Sequence, residues 1–509
     1  MSVEISESIF PNYSSEIMRI EREGISSEVI DRIIDKHEPK RLHMKALYNR
    51  WCTTKEGVPI FTRKARADVV NNKINNDYFG EIVSTKIGYF AGTPFSYQYS
   101  KVDVNNEMAE EEGDAITEQE RKKNIQIMKH FTRYSNISKA DVTMSEMAEI
   151  VGYASRLLYV DKDGEETLRV LQPWNCVHLS RSDITEAEYG LIEKFGVEVY
   201  RNGEYKTVDK VEFYDSENVY FYEKGDNGWV EDPDEKQPVL KHMFDYCPLQ
   251  GIPNNEEMLG GAEKVLSIID AIDRALSDCN SEIEAFKLAY MVIAGGSFDD
   301  EDELEKCRET GCFQIPTEGV EISYLTKEIN DDFVENHLTR LDKAIYKFSK
   351  TPDLSDSNIT SASSGISMKF KLFGLETRCM IFERMYEKAN RQMFKILGSA
   401  WKKKGYNFDH LECDTVFGRT FPLDTQYEAT TLQLLEGRVS KDTALGLMSF
   451  VPDPAVEIEK MKKEAEDDTL GINWNEIEDV QTATRGITND PSGNMPKSNL
   501  QVNNEDINS

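Results

Sequence analysis

Apolar side chains recur at helical spacing in four long stretches of the chain. The spacing predicts helices over residues 66–90, 256–293, 331–349 and 365–401. The last stretch is apolar on two faces, one with Phe370 and Phe373 and the other running from Met368 to Met393. A helix that is apolar on more than one side is usually buried on more than one side. We therefore expect this helix to be covered on both faces.

Strand-like alternation is concentrated in the first 250 residues, and it continues in one stretch near residue 415. Asp163-Gly164 and Asn202-Gly203 are hairpin turn signals between such runs. The pattern predicts an α+β domain with an antiparallel sheet. The predicted strands are 95–99, 156–160, 167–171, 197–200, 210–214, 219–222 and 415–421.

Between residues 256 and 364 the order of elements changes to a long helix, a small unit and a returning helix. The small unit has two predicted strands, 313–316 and 320–325. Pro352 disfavours helix, so the returning helix should end near Lys350. A mobile loop of small polar residues, 355–364, then leads into the helix that starts at Gly365. This arrangement predicts a stalk with a tip.

The remaining segments are more polar. Residues 1–40 are charged with helical patches and suggest an adaptable N-terminal arm, and 106–124 suggest a solvated loop. Residues 425–466 have a helical pattern, while 468–509 contain few large apolar groups, which predicts disorder.

The charge balance excludes several classes of protein. A net charge of −32 and a pI of about 4.7 argue against gripping nucleic acid through a basic surface and against anionic membranes. No apolar run is long enough for a membrane span, and the first residues lack the features of a signal peptide. Eight scattered cysteines without a CxxC spacing predict reduced thiols in a cytoplasmic protein.

Patterns typical of catalytic sites are missing from the sequence. There is no GxxxxGK[ST], HExxH, GxSxG or HxE…CxxC run, and the seven histidines are dispersed. The acidic run 299–303 could offer oxygen ligands to Ca²⁺ or Mg²⁺, but it lacks the glycine and the bidentate glutamate of an EF-hand loop. We predict no catalytic residue, no metal and no cofactor.

Two motifs resemble a known family. The first is NNDYFGEIVSTKIGYFAGTP at residues 75–94, and the second is KFSKTPD at 347–353 followed by SGISMKFKLFGLE at 364–376. With these motifs the chain resembles the portal proteins, or head-to-tail connectors, of tailed bacteriophages, in particular long-tailed phages of Gram-positive bacteria. The resemblance covers roughly residues 40–465.

The resemblance implies a portal fold that assembles as a ring of twelve subunits, or thirteen in isolation, around a channel for packaging and ejecting double-stranded DNA. The ring would occupy one capsid vertex of the virion after assembly in the host cytoplasm, with no membrane contact. Its partners would be the terminase large subunit, a head-completion or adaptor protein, and the major capsid and scaffolding proteins. The implied parts are an α/β wing (1–255), stem helices (256–293 and 331–350), a small α/β clip (294–330), a tunnel loop (351–364), a long wing helix (365–404), a wing strand (405–424) and a helical crown (425–467), followed by the disordered tail (468–509).

The resemblance also implies which side chains would face DNA and partners. The tunnel loop has no Lys or Arg, so its polar groups could make weak, exchangeable contacts with phosphates while its acidic groups repel them. Lysines on the adjoining helix are the few cations that could touch DNA, although pairing with neighbours such as Asp342 is an alternative. The loop residues are Asp353, Ser355, Asp356, Ser357, Asn358, Thr360, Ser361 and Ser363; the lysines are Lys343, Lys347 and Lys350; the clip surface is Asp299, Asp300, Glu301, Asp302 and Glu303.

Two other functions remain open at this point. A metal-dependent DNA-processing enzyme would need a carboxylate cluster with a nearby lysine in a cleft. A capsid-associated structural protein, such as a coat or scaffold, would form shells and not closed rings. The two long helices with a small insert suit a funnel wall better than a shell tile.

Overall fold

The computed structural model describes residues 12–64, 70–99, 117–286, 290–294, 321–325, 331–354 and 365–420 and, further along, 430, 432–435, 437–448, 451, 454, 457–458 and 460–464. The chain divides into two compact units, Met1–Asp424 and Thr425–Ser509. In the first unit the helices are α1 (Ser14–Glu23), α2 (Ser27–Trp51), α3 (Tyr78–Ala91), α4 (Glu118–Tyr134), α5 (Ile137–Val151), α6 (Leu266–Phe286), α7 (Asp331–Ser349) and α8 (Gly365–Lys403).

The strands of the first unit form antiparallel sheets, as the sequence predicted. A six-stranded sheet contains β4 to β9, a three-stranded sheet has the order β10-β2-β3, and β1 pairs with β13. The strands are β1 (Ser96–Tyr99), β2 (Tyr153–Val160), β3 (Glu166–Leu171), β4 (Cys176–Leu179), β5 (Tyr189–Arg201), β6 (Glu204–Tyr214), β7 (Asn218–Gly225), β8 (Gly228–Glu231), β9 (Val239–Lys241), β10 (Leu249–Pro253), β11 (Tyr290–Ala294), β12 (Glu321–Leu325) and β13 (Cys413–Val416).

Both predicted hairpin turns are confirmed. Asp163-Gly164 lies between β2 and β3, and Asn202-Gly203 joins β5 to β6. Asn202 and Gly203 have φ of 56° and 86°, as the two central residues of a type I′ turn require.

The prediction of an adaptable N-terminal arm is wrong for the part of the arm that the structure describes. α1 and α2 pack on the six-stranded sheet, where Ile17, Ile30 and Ile33 share a buried cluster with Leu191 and Phe213. Removing these side chains from water outweighs the polar character of the opposite helix faces. Residues 1–11 lie outside the described residues.

The helix predicted over 66–90 begins only at Tyr78, where the Asp77 side chain accepts a hydrogen bond from the Gly80 amide. The residues before it extend along α6 instead. Their amides donate to polar side chains one helical turn apart on α6, which replaces the hydrogen bonds of a helix. These bonds run from Asn72 to Ser281 (2.9 Å), from Ile74 to Ser277 (2.9 Å) and from Asn76 to Asp273 (2.8 Å).

The helix predicted over 256–293 is also shorter than expected. α6 starts at Leu266, because a turn containing Gly260-Gly261 packs against the end of α5. Residues 290–294 form strand β11, which pairs with β12. Their aromatic and β-branched side chains favour a strand over a helix. The predicted strand 313–316 and the acidic run 299–303 lie outside the described residues.

The returning helix and the long helix after the loop are confirmed as α7 and α8. One apolar face of α8 is buried, with Leu375, Phe382 and Tyr386 at 1% exposure or less. The expectation that both faces are covered is wrong for this chain taken alone, since Phe370 and Phe373 are exposed. Loop residues 355–364 lie outside the described residues.

The loop predicted over 106–124 is helical in its last part. α4 begins at Glu118, where Thr117 and Glu120 form a capping box. In the second unit the structure describes one helix with its bounds, α9 (Lys441–Gly446), capped by Ser440. The predicted disordered tail, 468–509, lies outside the described residues.

No helix in the described ranges is long and apolar enough to cross a bilayer. The cysteines that the structure describes form no disulfide; they are Cys52, Cys176, Cys247, Cys279, Cys379 and Cys413. Cys307 and Cys312 lie outside those ranges.

Glu193 of β5 leads to a pH prediction. Its side chain is 2% exposed and neither carboxylate oxygen has a hydrogen-bond partner in the described structure. Burial raises the pKa of this carboxyl to about 8, and the nearby Arg41 guanidinium offsets only part of that. The unfolded state therefore releases this proton at lower pH than the folded state, and stability should fall as pH rises from about 4.5 to 8.

We expect Glu193→Gln to remove this fall and to raise the free energy of unfolding above pH 8 by about 2 kcal/mol or more. Thermal unfolding at pH 6 and pH 9 measures the effect. Glu198→Gln, on the exposed side of the same strand, is the matched control and should leave the pH dependence unchanged. An unaltered pH dependence in Glu193→Gln would contradict the prediction.

Candidate functional site

Helices α6 and α7 pack against each other, and the chain segments at one end of this pair meet at the C-terminal turn of α5. The turn before α6 is held by the backbone, since the Gly261 amide donates to the Glu149 carbonyl at 2.7 Å. Asn254 holds the same turn, because its side-chain nitrogen donates to the Leu259 carbonyl at 3.0 Å and to the Glu149 carboxylate at 3.1 Å.

Arg378, which also contacts the Glu149 carboxylate, holds the C-terminal end of α7. Arg378 of α8 donates to the Ser349 carbonyl at 2.7 Å and to the Thr351 hydroxyl at 3.3 Å, and its guanidinium also pairs with Glu149. Lys350 lies between these contacts with φ of 56°, and the Thr351 amide donates back to the Tyr346 carbonyl at 3.2 Å. This is a Schellman-type end with a lysine at the position that usually holds glycine.

Lys86 of α3 completes the network. Its ammonium lies 2.5 Å from the Glu149 carboxylate and 2.8 Å from the Asn254 side-chain oxygen, and it sits 4.7 Å from the centre of the Phe382 ring. We call Lys86, Glu149, Asn254 and Arg378 the junction. It joins α3, α5 and α8 to the segments that precede α6 and follow α7.

Burial controls the electrostatics of the junction. The Glu149 side chain is 0% exposed and the Lys86 side chain 2%. Burial alone would raise the pKa of Glu149, but the charges of Arg378 and Lys86 outweigh it and hold that pKa below its usual range. Burial lowers the pKa of Lys86, although Glu149 opposes this. One carboxylate thus lies between two cations, away from water.

Glycine at position 261 allows the junction to be this compact. A Cβ atom there would lie 1.5 Å from the Glu149 carboxylate oxygen and 2.3 Å from the Arg378 guanidinium nitrogen. Real Cβ atoms do not approach other atoms so closely, so the buried ion pair requires glycine at this site.

The structure tests the placement of only some predicted site residues. Lys343, Lys347 and Lys350 are exposed and form no ion pair with the residues that the structure describes. The proposed pairing with Asp342 is absent there, because that carboxylate accepts from the Tyr78 hydroxyl at 2.8 Å.

Of the predicted tunnel-loop residues, Asp353 is the one placed near the junction, two residues after Thr351. Burial, with Asp353 adding to it, raises the pKa of Tyr346 to about 12. The residues outside the described ranges are Ser355, Asp356, Ser357, Asn358, Thr360, Ser361 and Ser363 of the loop and Asp299, Asp300, Glu301, Asp302 and Glu303 of the acidic run.

The left-handed backbone at Lys350 predicts opposite effects of glycine at two neighbouring lysines. Lys350→Gly should raise the free energy of unfolding by about 1 kcal/mol, because glycine has no Cβ to strain at positive φ. Lys347→Gly, inside α7, should lower it by about 1 kcal/mol. Thermal unfolding of both variants checks the pair, and two changes of the same sign would contradict the assignment of the helix end.

Comparison with known proteins identifies the family. The model of the family "Phage portal protein, SPP1 Gp6-like" matches residues 30–469. The chain belongs to this family of phage portal proteins. The resemblance drawn from residues 75–94 and 347–376 is thereby confirmed.

A curated relative agrees with this assignment. The portal protein of Bacillus phage SPP1 is 25% identical over 273 residues, which cover 50% of this chain and 53% of the relative. The chain thus spans about half the length of the curated relative that it matches.

A carboxylate cluster in this portal chain bears on the enzyme alternative. Oxygen atoms of Glu223, Asp232 and Asp234 lie within 4.8 Å of one another, close enough for a metal ion. Two cations already bind them, however: Lys210 lies 2.7 Å from Asp232 and 2.9 Å from Asp234, and Arg201 lies 2.7 Å from Glu223. The cluster is therefore a set of ion pairs, and the portal family is structural and not catalytic.

Sequence reasoning missed the junction, although one signal was present. The buried positions of α3 include Phe79, Ile82, Ile87 and Phe90, spaced as one helical stripe. Lys86 falls on that stripe, and a lysine there predicts a buried cation with a partner. Nothing in the local sequence of α5 or α8 identified Glu149 or Arg378 as that partner.

Proposed function

We propose that the chain assembles as a portal ring of twelve subunits at one capsid vertex, forming the channel for packaging and ejection of double-stranded DNA. The pairing of α6 with α7 carries the proposal: in the chain, the paired strands β11 and β12 follow α6 and precede α7, and the junction holds the other end of the helix pair. Such a unit suits the wall of a funnel, because a helix pair gives length and the junction fixes its angle to the surrounding domain.

The parts of the chain take the following roles in this proposal. Residues 1–255 and α8 form the wing, with 405–424 as its strand. α6 and α7 form the stem, 294–330 the clip, 351–364 the tunnel loop, and 425–467 the crown. Family membership supports these roles. The hydrogen bond from Arg378 of α8 to the end of α7 fixes the position from which the tunnel loop would start.

The charge distribution suits a channel through which DNA slides. Strong phosphate contacts would retain the duplex, whereas an acidic chain with a net charge of −32 repels it. Residues 351–364 contain Asp353 and Asp356 and no lysine or arginine. Lys343 and Lys347 are exposed on the preceding helix and Lys350 is exposed directly after it, where they can make transient contacts with phosphates.

The partners follow from the same proposal. The acidic clip surface, residues 299–303, faces the terminase large subunit during packaging and a head-completion or adaptor protein afterwards. The wing and crown contact the major capsid and scaffolding proteins. The protein is then a virion component at the capsid vertex, assembled in the host cytoplasm.

Native mass spectrometry with negative-stain class averages tests the proposal, with and without the scaffolding protein. We expect closed rings of about twelve or thirteen copies with an axial hole. Shells, or a monomer under both conditions, would contradict it. A Mg²⁺-dependent nuclease assay on the same preparation tests the enzyme alternative, and DNA cleavage would favour that alternative.

A further inference from the structure

Helix α8 exposes a mainly apolar stripe on the side opposite its buried face. Phe370 is 78% exposed, Phe373 69%, Met380 47% and Ile381 42%. At about 100° of rotation per residue, these four positions and Arg384 fall within an arc of about 100°. We call these five residues the outer stripe.

Exposure of this kind is unfavourable for an isolated chain. Burying a phenylalanine side chain contributes about 1.5–3 kcal/mol, and contiguous exposed apolar surface marks an interaction site. Arg384 is exposed next to the apolar residues and forms no ion pair with a described residue. Aromatic and arginine side chains are enriched among the residues that carry most of the binding energy of a protein interface.

Charge indicates which molecule covers the stripe. Residues 365–403 contain nine Lys or Arg and three Asp or Glu, a net charge of +6, so the remainder of the chain carries −38. Three of these cations, Arg378, Lys388 and Lys403, already pair with carboxylates elsewhere in the chain. The helix stays basic without them, and a basic helix on an acidic chain is complementary to the surface of another copy of the same chain.

The same charges select the kind of contact between copies. A symmetric contact of α8 with α8 would bring two basic helices together, which is unfavourable. A head-to-tail contact places α8 against a different surface of the next copy, whose residues outside α8 carry a net negative charge. Head-to-tail contacts close into rings when the rotation permits, whereas symmetric contacts stop at dimers.

We propose that the outer stripe is the seat for the neighbouring copy in a head-to-tail ring. The inference rests on the proposed function and names the surface that forms the ring. The stripe begins beside the end of α7, since a Cβ on Gly374 would lie 3.3 Å from the Lys350 Cβ. The neighbouring copy would thus be held close to the junction.

Native mass spectrometry of Phe370→Ser with Phe373→Ser tests the inference against wild type. We expect the double variant to require at least about ten-fold more protein to form rings, the loss expected when about 1.4 kcal/mol of contact energy is removed. The matched control is Tyr200→Ser with Tyr205→Ser in the β5–β6 hairpin, whose side chains are 65% and 77% exposed. The control should form rings as wild type does.

Arg384→Glu provides an independent variant that removes no apolar surface. It should weaken the ring, and the loss should be smaller at high salt, which screens the charge repulsion. A thermal transition like that of wild type shows that each variant is folded. If the double serine variant does not fold, the result for Arg384→Glu alone tests the inference.

The outcomes separate this inference from the proposed function. If wild type forms rings and both variants form them at the same protein concentration, the inference is overturned and the proposed function stays in place. Wild-type monomers, with scaffolding protein present, would overturn the proposed function itself. Variants that keep their rings but no longer enter capsids would assign the stripe to a shell or scaffolding protein, which also overturns the contact between copies.

Discussion

Glu149→Gln is expected to lower the free energy of unfolding by about 3 kcal/mol, because it leaves two buried cations without their carboxylate. The Lys86 side chain is 2% exposed and that of Arg378 14%, so water cannot replace the lost partner. The segment before α6 and the segment after α7 should both become less tightly held, because each is bound by Glu149 or by a residue that Glu149 contacts. Thermal and urea unfolding measure the loss.

Glu16 offers a matched control for this substitution. Its side chain is nearly as buried as that of Glu149, at 2% against 0% exposure, and it also pairs with two cations. Those cations, Arg32 and Lys36, are 58% and 30% exposed and remain solvated when the carboxylate is lost. Glu16→Gln should therefore cost about 1 kcal/mol or less.

A second substitution tests whether unpaired charge is the cause. Lys86→Met combined with Glu149→Gln removes one of the stranded cations and should recover part of the loss. Equal costs for Glu149→Gln and Glu16→Gln, or no recovery in the double variant, would show that the buried charges do not hold the junction.

The elements that sequence predicted are those set by local signals. α8 has an apolar period that runs for ten turns, and α7 ends where Pro352 requires it to end. The hairpin at Asn202-Gly203 follows from two residues that tolerate positive φ. Each of these features depends on residues close together in the chain, so a single sequence is enough to predict them.

The junction depends on residues that are far apart in sequence. Lys86 and Glu149 are separated by 63 positions, and Arg378 and Glu149 by 229. A charged side chain on a helix usually faces water, and only the tertiary fold shows that these three do not. The same reason explains the error over residues 12–40, whose helices are covered by strands that begin more than a hundred residues later.

The outer stripe lies on the face of α8 that the sequence predicted to be buried and that the chain leaves exposed. The sequence showed two apolar faces on α8, and only one is buried within the chain. An apolar face that the chain itself does not cover is information about assembly, because a helix in a folded subunit can be completed by the next subunit. The expectation that both faces are covered was wrong for one chain, and the proposed contact between copies would cover the second face.

Reversing the charge of the proposed tunnel loop should stop packaging without stopping ring assembly. Asp353→Lys with Asp356→Lys changes each subunit by about four elementary charges and, repeated around a ring, adds many phosphate contacts. The duplex would then be held where it must slide. Packaged DNA per particle should fall by about ten-fold or more at low salt, and recover partly in an in vitro reaction at higher salt, where phosphate contacts weaken.

The control for this prediction separates lost repulsion from added attraction. Asp353→Asn with Asp356→Asn removes the same carboxylates but supplies no cation, so it should package close to the wild-type yield. Native mass spectrometry should show rings for both double variants, because neither variant replaces a residue of the outer stripe or of the junction. A normal packaging yield from the lysine variant would show that the charge of this segment does not govern the movement of DNA, and would remove Asp353 and Asp356 from the proposed channel site.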